Sequence, residues 1–178
     1  MARRGMHIVG VGAAVLGLVG LATVSPLSPA APAKANIVIQ VCNINVNWPY
    51  GSTHVTGTIN ATSTISCSTV MPNLRMQNYL VRTDGALWSK PLISYLNVTY
   101  LPTNASTGCS AGPANFMNHT YYNITFPPGY TPQNYEGWHD SPWVGVACGG
   151  VSAASQSLSM KSGSGSDTIP VMVTPPQG

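Results

Sequence analysis

Charge is what this sequence has least of: Asp, Glu, Lys and Arg together make up 6% of the chain. A nucleic-acid footprint needs clustered basic residues, and none occurs. Anionic membrane surfaces are disfavoured as partners for the same reason. The formal charge of +3 is also misleading, because Arg3, Arg4 and Lys34 sit in a segment that reads as a removable leader. Without them Arg75, Arg82, Lys90 and Lys161 face Asp84, Glu136, Asp140 and Asp167, and the balance is neutral. Metal-ligand spacings such as CxxC or HxxxH are missing, which argues against zinc as the alternative use of the cysteines. No cofactor-binding signature is present. No helical period appears outside the leader, and no internal repeat is visible.

The leader is the clearest positive feature. Arg3 and Arg4 precede an uncharged run from Ile8 to Val24, and SPLSPAAPAKA follows, with Ala33 and Ala35 flanking Lys34 in the small-x-small pattern that a signal peptidase accepts. The expectation is a signal peptide over 1–35, cleavage near Ala35, and a protein secreted to the outside of the cell. An uncleaved N-terminal anchor is the competing reading, because the run lies at the lower length limit for spanning a bilayer. Glycines at positions 10, 12, 17 and 20 dilute it. No cysteine closes the apolar run, so no lipid-acceptor thiol is on offer. After cleavage no membrane association is expected.

The remaining length is a single-domain size that buries roughly 70% of its unfolded surface. Its polar residues are mainly Ser, Thr, Asn and Gly, a composition suited to strands and turns. Disorder is the competing reading of so little charge. Four tryptophans and eight tyrosines argue against it. Cys42, Cys67, Cys109 and Cys148 all follow the leader, an even number in an oxidising compartment, so two disulfides are expected. Three connectivities are open. Pairing of consecutive cysteines, Cys42 with Cys67 and Cys109 with Cys148, is favoured because it joins segments that read as neighbouring strands.

Alternation of period two marks those strands. From His54 to Cys67, Val55, Gly57, Ile59, Ala61, Ser63, Ile65 and Cys67 share one face. Cys42 alternates with Ile44 and Val46, so its disulfide should be internal. Leu74, Met76 and Leu80 mark another strand, followed by the Asp84-Gly85 turn dipeptide and a return over Ala86 to Ser89. Beyond Pro91, which suits a bulge or an edge, Leu92, Leu96, Val98 and Tyr100 are expected on one face. Phe116 to Phe126 and Ser141 to Gly149 supply the last clear strands, the latter with Val144, Val146 and Cys148 inward.

The fold class expected is therefore all-β: an antiparallel, immunoglobulin-like β-sandwich of about seven strands over 36–149, with a barrel as the alternative. Residues 150–178 read as a Ser- and Gly-rich flexible tail with room for a short strand at Ile169 to Val173.

One segment offers a site. GYTPQNYEGWHDSPW, residues 129–143, reads as a loop that combines rings with hydrogen-bonding side chains, which is what sugar recognition needs. Tyr130, Tyr135, Trp138, His139 and Trp143 are the candidate ligand-binding residues. The structural alternative is that these rings cap the end of a sandwich core. A hydrolase would instead use His139 with Glu136 or Asp140. Adjacent residues of an extended chain point in opposite directions, so His139-Asp140-Ser141 is not a triad. Five N-x-S/T sequons, at Asn60, Asn97, Asn104, Asn118 and Asn123, are given no role, because the leader looks bacterial.

HVTGTINATSTISC, then LRMQNYLVRTDGALW, then FPPGYTPQNYEGW and VGVACG resemble small exported proteins of actinobacteria and related Gram-positive bacteria. These share the H-x-x-G-x-I strand ending in cysteine, a paired-cysteine layout and a P-x-G-Y corner. The resemblance spans about Cys42 to Cys148. It implies a β fold and an exported location, and it implies no activity. The functional expectation is a secreted, non-catalytic module at or outside the cell envelope that binds glycan or a protein partner.

Overall fold

The computed structural model describes residues 37–147 and 165–177. Within them the chain is all-β and antiparallel. The strands are β1 (Ile39–Asn47), β2 (Tyr50–Gly51), β3 (Thr58–Arg82), β4 (Leu87–Ser89), β5 (Ile93–Gly108), β6 (Ala114–Thr125), β7 (Asn134–Asp140), β8 (Val144–Val146) and β9 (Ser166–Val173), with one 3₁₀ turn at Cys109–Ala111. The main sheet order is β7-β6-β3-β1-β9, and β2, β4 and β5 join β3 while β8 joins β6.

Strand β3 organises the rest. The segments around Ile59 and Leu74, expected as separate strands, form one strand of 25 residues. Its first half pairs with β1, Ser63 to Cys67 against Val46 to Cys42. Its second half pairs with β6, from Asn73↔Thr125 to Arg82↔Phe116. Strand β5 follows β3 along both halves, and the register shifts between Ser66 and Met71. That irregularity absorbs the change of direction expected of a turn, so the chain folds the sheet over without ending the strand.

The two halves of the sheet share their core. One cluster joins Val41, Ile44 and Val171 from β1 and β9 to Leu74, Met76 and Ile124 from the second half of β3 and β6. A second cluster contains Ile59, Ala61, Leu80, Phe116, Val144 and Val146. Between them, on the same buried faces, lie Ser63, Asn78, Asn118 and Thr120, all at most 1% exposed.

These four residues satisfy one another. The Asn78 amide donates to Ser63 Oγ at 3.0 Å and to the Ala61 carbonyl at 3.2 Å. The Asn118 amide donates to Ser63 Oγ at 3.1 Å and to the Asn47 and Thr62 carbonyls at 2.9 and 3.2 Å. Ser63 and Thr120 hydroxyls share a 2.9 Å hydrogen bond, and Thr120 Oγ1 donates to Asn118 Oδ1 at 3.1 Å. Desolvated polar groups are costly when unpaired and near neutral when paired. Asn118 also begins a sequon, and its burial leaves the folded chain no acceptor there.

The Cys42–Cys67 disulfide forms, between residues directly opposite in the β1–β3 register with Cα atoms 4.0 Å apart. Cys148 lies outside the described residues, as do the expected leader over 1–35, residue 36 and most of the expected tail. Strand β9 begins at Ser166 rather than Ile169 and lies along β1 from Ile39↔Val173 to Asn47↔Ser166. Its approach requires Gly165, since a Cβ there would meet the Trp48 ring at 2.6 Å.

Two expectations about faces are corrected. Val55 is exposed, because β3 starts only at Thr58. Of Leu92, Leu96, Val98 and Tyr100, only Val98 packs against the core; Leu96 and Tyr100 are exposed, whereas Leu101, Thr103 and Ala105 are buried. Period-two counting fails here because Asn97 adopts φ 55° and the β3–β5 register breaks just beyond it. The Asp84-Gly85 turn forms as expected, with Gly85 at φ 89° and an Arg82–Asp84 ion pair at 2.6 Å.

Replacing Asn118 with Ala leaves the Ser63 hydroxyl and two backbone carbonyls short of a donor. The expected loss is about 2 to 4 kcal/mol, measured by urea unfolding with the Cys42–Cys67 disulfide intact. A loss below about 0.5 kcal/mol refutes the role given to the network.

Hydrogen bonds from Arg82 and the Ala86 amide hold the Asp84 carboxyl at about 2, below its ordinary 3.8. A depressed carboxyl contributes stability above its unfolded value, and that contribution disappears as pH falls through about 2. An NMR titration of Asp84 should therefore centre near 2, and Arg82→Gln should move it back toward 3.8. A midpoint that ignores the substitution would contradict the assigned cause.

Candidate functional site

The segment expected as an aromatic loop contains a strand, β7, paired with β6 from His119↔Asp140 to Thr125↔Asn134. A strand sends successive side chains to opposite faces, and this divides the candidate residues. Tyr135 and His139 point inward, together with Gly137, while Asn134, Glu136, Trp138 and Asp140 are exposed. Tyr135 stacks on Tyr122 at 5.9 Å, and Tyr130 stacks on Phe126 at 6.2 Å. Both pack against the main apolar cluster. Burial raises the Tyr122 hydroxyl above its ordinary pKa. Gly137, opposite Tyr122, has no side chain because a Cβ would lie 2.7 Å from that hydroxyl.

His139 does not meet the carboxylates expected to work with it. Its Nε2 lies 3.3 Å from Asp167 on β9, whereas Glu136 and Asp140 occupy the opposite face of β7. Trp143 is 47% exposed in the turn between β7 and β8. The five residues singled out by sequence therefore do not converge. Two rings complete the core, one imidazole ties β7 to β9, and the tryptophans are exposed in separate elements.

What does converge lies on the outer face of β7, β6 and β3. Trp138 is 52% exposed. Its ring stacks on His119 at 4.5 Å with an interplanar angle of 12°. Tyr121 and Tyr79 flank it at 5.0 and 5.9 Å, both tilted. The register explains the grouping, since Trp138 pairs with Tyr121 and Asp140 with His119, while His119 pairs on its other side with Tyr79. A hydrogen bond between His119 Nδ1 and Asp140 fixes the imidazole in the stack.

Polar side chains continue the same face. Glu136 accepts from Asn123 at 2.9 Å and from the Tyr121 hydroxyl at 3.2 Å. Burial, then Glu136, raises Tyr121 above its ordinary pKa, so it remains a neutral donor. Arg75 lies across β6 from Glu136 by way of Asn123, and Gln77 lies across from Trp138 by way of Tyr121. Rings thus present an apolar, polarisable patch beside amide, guanidinium and carboxylate groups. That combination suits a ligand with both C–H faces and hydroxyls.

Sequence reasoning singled out Trp138 as a ligand-binding candidate and gave Tyr79, His119 and Tyr121 no binding role. The signal that could have found them is the alternation in FMNHTYYNITF, which puts His119, Tyr121 and Asn123 on one face of a strand. Only the strand pairing brings that face to Trp138. Among the described residues no group of three or more His, Cys, Asp or Glu is placed to hold a metal ion, and no helix is long and apolar enough to cross a membrane. No protein-family model matches this chain, and no curated protein or solved structure matches it either.

Proposed function

We propose that this chain is an exported, non-catalytic β-sandwich module that binds glycan outside the cytoplasm, through the aromatic outer face of β7, β6 and β3. The observation that carries the proposal is the half-exposed Trp138 ring, held flat against His119 and flanked by Tyr79 and Tyr121. A pyranose ring would stack on Trp138, and its hydroxyls would exchange hydrogen bonds with Glu136, Asn123, Gln77 and Arg75. His119 and Asp140 hold the platform rigid, which reduces the ordering cost of binding. The face carries carboxylates as well as a guanidinium, so it lacks the positive field that polyanions require.

Two features support export. The leader has the three parts of a signal peptide, and the oxidised Cys42–Cys67 pair suits a compartment outside the cytoplasm. The proposed second disulfide joins Cys109 to Cys148, which lies outside the described residues, because pairing of consecutive cysteines leaves these two once Cys42 and Cys67 are joined to each other. The common core of the two sheet halves supports a sandwich of the immunoglobulin-like kind, with β3 and β5 passing from one layer to the other as its departure from simple stacking.

Retention on immobilised cell-wall material and on a panel of polysaccharides tests the binding face. Trp138→Ala should lower retention at least about tenfold, equivalent to about 1.4 kcal/mol, and Trp143→Ala should leave it unchanged. Equal retention by the wild type and Trp138→Ala would reject the site. Intact mass of the exported protein should correspond to a chain starting at Asn36 with two disulfides. Retained leader mass, or free thiols in the native protein, counts against the export assignment.

A further inference from the structure

The start of strand β5 has the sequence of an interior strand and the position of an edge strand. Among the described residues it pairs only with β3, so the backbone groups on its other side face none of the described strands. From Ile93 to Gly108, and at Leu92 just before it, the chain carries no Asp, Glu, Lys or Arg. Leu92, Tyr95 and Leu96 are exposed by 36, 47 and 67%. The register places Leu96 on the outer face with Asn73, and Tyr95 on the inner face with Leu74. Both faces of this edge are therefore apolar, a pattern found in strands covered on both sides.

Exposed edges normally carry charges, prolines or bulges that discourage further pairing. The strands at the two ends of the main sheet follow that rule. Strand β7 carries Glu136 and Asp140, and β9 carries Asp167 and Pro170; the two are also tied together by His139–Asp167, with the Thr131↔Thr174 bridge just beyond them. The stretch from Leu92 to Leu96 lacks these devices. It is bounded by Pro91, which has no N–H, and by Asn97, whose φ of 55° ends the regular run.

We infer that this edge is the interface between two copies of the chain, paired antiparallel about a two-fold axis through Ser94. In that register Leu92 faces the partner's Leu96 on the outer side, and Ile93 faces the partner's Tyr95 on the inner side. Ser94 meets its own copy on the axis, where a small side chain is needed. The segment is self-complementary and neutral, so a second copy meets no repulsion, and the two-fold axis closes the assembly at a dimer. A five-residue contact of this kind belongs to the small class, below about 1,200 Å² in total, so the dimer is concentration-dependent.

The axis is perpendicular to the sheet, so both copies present the same face. With strands about 4.8 Å apart, the order β7-β6-β3-β5 meeting its reverse in the partner puts the two Trp138 platforms roughly 35 Å apart on one surface. If the platform binds glycan as proposed above, the pair engages one polymer at two points. The dimer itself does not depend on that reading.

Sedimentation velocity on the full chain, exported and purified with its disulfides oxidised, tests the inference without any ligand. The wild type should pass from one to two chain masses as concentration rises from micromolar to millimolar. Leu96→Lys should remain at one chain mass, and Leu87→Lys, at an exposed leucine on β4, should dimerise like the wild type. Circular dichroism melts confirm that both variants are folded. As a second measurement, Ser94→Cys should yield an intermolecular disulfide joining the two copies at position 94, seen by non-reducing peptide mapping, and Thr99→Cys should yield none. A wild type that remains monomeric throughout, or a dimer that survives Leu96→Lys, overturns the interface.

Discussion

Ser63 holds the fold together at its least apolar point. Its hydroxyl sits in the first half of β3 and accepts hydrogen bonds from Asn78, in the second half of the same strand, and from Asn118 in β6. A strand that folds back over itself needs something to fix how far it folds. Apolar packing is tolerant of small slides, because dispersion contacts are weak and non-directional. A hydrogen-bonded cluster in a low-dielectric interior is not tolerant, since a small displacement leaves several desolvated groups unpaired together. The network therefore sets the register between the two sheet halves, and the apolar clusters on either side supply the bulk of the stabilisation.

The same arrangement determines what faces outward. Once Asn118 and Thr120 are fixed inward, the alternation of β6 forces His119, Tyr121 and Asn123 outward, and the β6–β7 register brings Trp138 and Glu136 beside them. The inward Asn78 likewise places Gln77 and Tyr79 on the outer face. The polar core and the aromatic platform are opposite sides of the same strands. A change in the core network should thus disturb the platform by shifting strands, without any contact between the two sets of side chains.

Much of the fold was legible in the sequence, because long strands with one buried face write their period plainly. Ile59, Ala61, Ile65, Cys42, Ile44, Val144 and Val146 are all buried on the faces expected. Asn78 was invisible as a core residue, since in a linear reading a polar residue between Met76 and Leu80 interrupts an apolar series. Its partners Ser63 and Thr120 are remote in sequence, and only their meeting makes its burial acceptable. Leu92 to Tyr100 misled for a different reason, as a left-handed Asn97 and a register break reset the period in mid-strand. The candidate site was partly legible for a third reason. Rings and hydrogen-bonding residues concentrated in 129–143 marked the segment that carries Trp138, but reading it as a loop hid the alternation that separates Trp138 from Tyr135 and His139.

Scarcity of charge links these observations. A chain with so few ionisable groups cannot rely on charged surfaces to keep its sheet faces in solution, and its Ser, Thr and Asn residues take that role through hydrogen bonds to water. Most of the charged groups in the described residues act on a near neighbour. Arg82 and Asp84 close a hairpin, His139 and Asp167 join the edges of β7 and β9, and His119 and Asp140 set a ring under Trp138. Glu136 is held by Asn123 and Tyr121 within the platform. Three of the chain's four acidic residues thus lie in β7 or tie it down. A β-module with so few charges that places Glu136 and Asp140 on one exposed aromatic strand has specified that strand beyond what the core needs, and the proposed recognition by this face rests on that excess.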